Sequence, residues 1–84
     1  MPTISQFYGL IVRMYPRGRE HEPPHIHVFY GGAACSINLL NCACEHGKIP
    51  ARALGMAVEW TRKHQAALLE MWETGEITKL PPLE

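Results

Sequence analysis

The chain has 84 residues, enough for one domain but not for a deep core, so a second copy or an obligate partner is expected to complete its burial. Lysine plus arginine and aspartate plus glutamate number eight each, and the resulting net charge of zero argues against tight nonspecific binding to nucleic acid or to an anionic membrane. No stretch approaches the roughly 18 apolar residues of a membrane span, the first residues lack the pattern of a signal peptide, and three cysteines fit a reducing compartment, so the expected location is the cytoplasm.

Residues 4–15 are apolar and rich in β-formers, which predicts a first strand. A connection rich in charge, proline and glycine follows to Pro24. Local charge is uneven, with Arg13, Arg17 and Arg19 preceding Glu20, while Glu70, Glu73, Glu76 and Glu84 outnumber Lys79 at the other end. That distribution leaves room for a positive patch near the histidines.

Pro23-Pro24 fixes φ and excludes a helix, so the chain must enter His25 extended and continue through Ile26, Val28, Phe29 and Tyr30 as a strand over 25–30. His25 and His27 then project from one face with Cα atoms about 6.5–7 Å apart, a span that one metal ion or one phosphate can bridge. His21 adds a third nitrogen if the connection folds back, which makes His21, His25 and His27 a candidate site for zinc or another divalent metal. The plain alternative is an ordinary strand start whose histidines lie on a half-exposed sheet face.

Gly31-Gly32 is short enough for a tight hairpin into a third strand over 33–40, and residues 41–47 are expected to turn. Within that turn, Cys42-Ala43-Cys44 with Glu45 and His46 offers thiolate and imidazole donors at a spacing that matches closed zinc sites poorly. Paired as a meander, the strands place Leu10, Val12 and Met14 with Ile26, Val28 and Tyr30 and with Cys35, Ile37 and Leu39 on a core face. The opposite face carries Phe7, Arg13, Tyr15, His25, His27, Phe29, Ser36 and Asn38. It is too polar for a core and too aromatic for plain surface, so it reads as a recognition face.

Pro50 opens a helix over about 50–74 with Gly75 as its stop, and residues 76–84 form an extended tail. Successive 100° steps put Leu54, Val58, Thr61, Gln65, Leu68, Leu69 and Trp72 on a stripe that would cover the sheet. Ala53, Ala57, Trp60, His64, Ala67 and Met71 form a second apolar stripe. Either the tail folds back over Trp60 and Met71, or Trp60, Met71, Ala57 and Ala53 contact a partner or a second copy. The expected architecture is one α+β domain over 1–84, a small antiparallel meander of three to four strands with one long helix packed on one face.

Several segments together resemble a known bacterial family: Met1-Pro2-Thr3-Ile4-Ser5, Gly9 after an aromatic pair, Pro23-Pro24-His25-Ile26-His27-Val28, Tyr30-Gly31-Gly32, the run Gly47 to Leu54, Glu59-Trp60 and Trp72. The family is domain of unknown function 4160. The resemblance covers almost the full chain, departing at residues 41–45, where a glycine-containing turn is expected and Cys42 and Cys44 stand instead. Members are small cytoplasmic proteins often encoded beside a second small protein, of the domain of unknown function 2442 family, in gene pairs suggested to be toxin–antitoxin modules. That implies a protein partner.

The leading expectation is therefore a protein-binding component of a two-gene module, which accounts for the wide apolar arc and the thin core and asks for no chemistry; no phosphate loop, nucleophile elbow or paired-carboxylate signature is present to narrow the function further. The alternative is a ribonuclease-like toxin in which His25 and His27 act as general acid and base while Arg13, Arg17 or Arg19 stabilises a phosphorane. Arg13, His25 and His27 are its candidate catalytic residues.

Overall fold

The structure is a computed structural model that describes residues 2–15 and 23–84. Its elements in chain order are β1 (Thr3–Phe7), β2 (Leu10–Arg13), β3 (His25–Tyr30), β4 (Ala33–Asn38), β5 (Cys44–Lys48), α1 (Ala51–Lys63) and α2 (Gln65–Thr74). The strands form one antiparallel sheet in the order β1-β2-β3-β4-β5, with β3 at its centre. The α+β class and the meander are as expected. The number of strands and the single helix are not.

The first predicted strand, 4–15, is a hairpin. Phe7 pairs with Leu10 across Tyr8-Gly9, whose φ angles of 48° and 84° are both positive, as a two-residue turn matched to strand twist requires. Gly9 supplies that conformation freely, and an unbroken apolar pattern concealed it. The turn also moves Phe7 to the core face, where its ring lies 5.8 Å from Trp60, so its expected place beside the histidines is corrected.

Residues 41–47 hold a loop and a fifth strand. Asn38 and Ala43 close the loop by a 2.9 Å backbone bond, Cys42 N–H donates to the Asn38 carbonyl, and the Asn38 side chain accepts from Leu40 N–H. Cys42 stands at φ 59°, the left-handed position that a glycine takes without strain. Cys-Glu-His-Gly-Lys has weak strand propensity and no alternation, but it is an exposed edge strand, where partnering with β4 rather than burial sets the conformation.

The helix is interrupted at His64, with φ −113° and ψ 15°. The Thr61 hydroxyl donates to the Ala57 carbonyl at 2.7 Å, a back-bond that bends helices, and His64 N–H divides itself between the Trp60 and Thr61 carbonyls. Neither proline nor glycine marks the break. It resets the helical phase, so α1 buries Ala53, Ala57, Trp60 and Thr61, while α2 buries Leu68, Met71 and Trp72. Leu54, Val58 and Leu69, expected to cover the sheet, are only partly buried. Gly75 ends α2 as expected, at φ 79° with its N–H on the Met71 carbonyl.

The tail closes the other side of the helices. Trp60 Nε1 donates to the Pro81 carbonyl at 2.8 Å, Leu80 N–H donates to the Ile4 carbonyl at the edge of β1, and Leu83 is buried. Trp60 is wholly enclosed, and Ala57, Ala53 and Met71 are 0, 2 and 5 % exposed. The stripe expected to meet a partner is thus consumed inside the chain, because the tail supplies the cover.

Where β4 meets β5, Cys35 is buried beside Cys44, and burial, then the neighbouring Cys44, pushes its thiol up to about 12 from an ordinary 9.0. Folding favours the neutral thiol, so its contribution to stability is complete below pH 9.0 and declines as pH rises toward 12. Denaturant unfolding at about pH 10 should therefore cost wild type more, relative to neutral pH, than it costs Cys35→Ala. Equal losses would remove the assignment.

At Gly47, φ 81° is combined with a site where a Cβ would collide with the Ala34 carbonyl oxygen and approach the Cys35 Cα to 2.9 Å. Gly47→Ala should lower unfolding free energy by at least about 2 kcal/mol. Gly55, exposed within α1 with nothing within 4 Å of an added Cβ, should behave oppositely. Gly55→Ala should raise stability by up to about 1 kcal/mol in the same urea titration.

Candidate functional site

The sheet register sorts side chains into two faces, since directly paired residues point the same way. Val12, Val28 and Cys35 form one buried row, and Ile26 pairs with Ile37 in another. The second face reads across all five strands as Thr3, Arg13, His27, Ser36 and His46. A flanking row is Gln6, Ile11, Phe29, Ala34 and Lys48, and His25 pairs with Asn38 on the other side.

His25 and His27 lie together as the strand spacing required, with ring centroids 5.1 Å apart. Their rings belong to a longer line: Tyr15 meets His27 edge-on at 5.0 Å, and Trp72 of α2 meets His25 at 5.3 Å. His25 Nδ1 is 2.8 Å from the Pro23 carbonyl oxygen. A carbonyl only accepts, so in the neutral ring this bond keeps the proton on Nδ1 and leaves Nε2 as the basic nitrogen. The double proline that starts the strand also orients its first histidine.

Arg13 stands directly opposite His27 in the pairing of β2 with β3. Its Nε donates to the Thr3 hydroxyl at 3.2 Å, and its guanidinium carbon lies 5.4 Å from the centre of the Phe29 ring. A cation held by one hydrogen bond and one aromatic face keeps further N–H groups for an anion. Arg17, Arg19 and His21 lie outside the described residues.

His46 is the member that the sequence reading did not place here. Ser36 pairs with His46 while its neighbour Ile37 pairs with Cys44, so Glu45 is a surplus residue in a β-bulge. The bulge turns Cys44 toward the core face and His46 toward the second face. Cys44 donates weakly to the His46 and Gly47 carbonyls, and Cys42 is buried in its turn, so the Cys-x-Cys-x-His donors diverge. Strict alternation would have put Cys44 and His46 on one side, and no local signal announces the bulge.

Small residues on β4 between the imidazoles of β3 and β5 leave a shallow concavity of about 390 Å³, lined by His25, His27, Ala34, Ser36, His46 and Gly47, with Cys35 behind. Among the described residues no Asp or Glu occupies a paired position of this face, and no group of three His, Cys, Asp or Glu side chains is placed to share a metal ion. Two imidazoles, a third across the concavity, a hydroxyl and an arginine make an arrangement suited to oxyanions and to proton transfer.

No helix among the described residues is long and apolar enough to cross a membrane. No curated protein and no solved structure matches the chain. A protein family does: the one described as Domain of unknown function (DUF4160) matches residues 9–73, which span the hairpin from Gly9, the histidine strand, the bulged edge strand and both helices. With that match covering most of its length, the chain belongs to the DUF4160 family.

Proposed function

We propose that the chain is a protein-binding component of a two-gene module of the toxin–antitoxin kind, working in the cytoplasm through the second face of its sheet. The partner is a second small protein, of the domain of unknown function 2442 type, with an acidic contact surface. One observation supports this reading: the helices spend their apolar stripes on the chain's own core, whereas the second face presents partly exposed Arg13, Tyr15 and Phe29, and the paired rows of that face hold no Asp or Glu among the described residues. Arginine and aromatic side chains in such a pattern are the usual anchors of an interface. Native mass spectrometry of the chain from its own host should show a second small polypeptide in fixed ratio. Arg13→Glu should weaken that complex about tenfold or more, as reversal of an interfacial charge does, with the melting temperature of the free chain kept. A complex indifferent to Arg13→Glu would move the contact elsewhere.

A second reading, ribonuclease-like chemistry, is favoured by the Pro23 carbonyl that orients His25. In it His25 Nε2 takes the proton of a ribose 2′-hydroxyl, the 2′ oxygen attacks phosphorus, and the bond to the 5′ oxygen breaks as His27 protonates that oxygen. Arg13, which pairs with His27 across the strands, offsets charge on the phosphorane in this reading. His25→Ala and His27→Ala should then each abolish growth arrest on overexpression while partner binding survives. Arrest undiminished in both variants would exclude the chemistry.

A further inference from the structure

Zero net charge conceals an uneven placement of the carboxylates that only the register reveals. Of the carboxylates among the described residues, Glu59, Glu70, Glu73, Glu76 and Glu84 belong to the helices and the tail, and Glu45 is the surplus residue of the bulge. The second face of the sheet holds Arg13, Lys48 and three imidazoles. Among the described residues that face thus carries two fixed cations and no paired carboxylate although the chain is neutral, and a short-range anion site does not depend on net charge.

The concavity lies where that face is best provided with donors. His27 and His46 flank Ser36 from strands on either side, two inter-strand steps or about 9.6 Å apart at the backbone. The side chains between them are small, Ser36 and Ala34, so the floor is low and the imidazoles form its walls. The Ser36 hydroxyl is a donor on the floor, and Lys48 stands one row away, paired with Ala34. At the rim are ring surfaces: Tyr15 against His27, and Phe29 beneath Arg13. Donors around a phosphate-sized hollow, with rings beside it, match the way single strands are held, by backbone contacts and by stacking of unpaired bases.

We infer that this concavity, completed by His46, binds a phosphodiester of a single-stranded nucleic acid. The inference rests on the reading that the histidine face is the working surface, and it names what that surface takes besides a protein. His46 is the informative residue because it is exposed on an edge strand and belongs neither to the partner test nor to the acid–base pair.

The probe is a short fluorescein-labelled oligouridylate, followed by anisotropy at low salt with a chelator present. Wild type should bind it and should bind a duplex of equal length about tenfold more weakly. His46→Ala should lose about tenfold in affinity, the size of one charge-assisted hydrogen bond. His46→Glu should abolish binding and His46→Arg should restore it, all with unchanged melting temperature. Affinity should fall with salt at a slope of about −1.4 on logarithmic axes, for roughly two cations facing phosphates. Binding by His46→Glu within twofold of wild type overturns the site, as does equal affinity for strand and duplex. If wild type ignores the strand yet forms the partner complex, the phosphodiester site fails and the partner reading stands; the reverse pattern separates them the other way.

Discussion

The pairing of β3 with both its neighbours is the constraint on which the rest depends. Pro23-Pro24 delivers the chain extended, the Leu39 N–H binds the Pro24 carbonyl beside the strand's first residue, and from there every second side chain has only one direction to take. Ile26 and Val28 go to the core, where both are fully buried, and His25 and His27 go to the other side. A slip of one residue would exchange two imidazoles for two aliphatic side chains. The stability of the core therefore locks the positions of the functional groups, and the site is specified by apolar residues that take no part in it.

The helices and the tail solve a different problem. Two tryptophans and an apolar arc wider than one sheet face would leave a sticky surface on so small a domain. The tail removes it: Pro81 accepts from the Trp60 indole and Leu80 bonds to the edge of β1, so one segment covers a helix stripe and part of a strand edge together. His64 packs its ring 4.9 Å from Trp60 at the helix break, and burial, then the charge of Lys63, lowers its affinity for a proton. The break and the tail are two parts of one packing arrangement around Trp60.

Much of this was legible in the sequence wherever one residue type forces one conformation. The double proline, the Gly31-Gly32 turn, Pro50 before the helix and Gly75 after it all stand where the sequence puts them, and alternation assigned the core face of three strands correctly. What stayed hidden involved competition between elements. Tyr8 takes a left-handed conformation because Gly9 and the strand pairing carry it there, His64 ends α1 without a helix breaker, and a tail residue 21 positions further on bonds to Trp60. None of these is decided within a window of neighbouring residues. The same is true of charge: a sum over the sequence gives zero, while the sheet register sets Arg13, Lys48 and three imidazoles on one face whose paired positions hold no carboxylate among the described residues.

Glu45 shows how little sequence separates two chemistries. Were Glu45 paired as in a regular strand, the alternation of β5 would bring a thiol and an imidazole to the same side, a pairing suited to soft metals and to thiolate activation. Because Glu45 is bulged instead, the thiol is turned to the interior beside Cys35 and the imidazole is turned out to face Ser36. Deletion of Glu45 would join Cys44 directly to His46, and alternation alone would then hold them on these same opposite faces, so the outcome turns on whether one residue is bulged or paired.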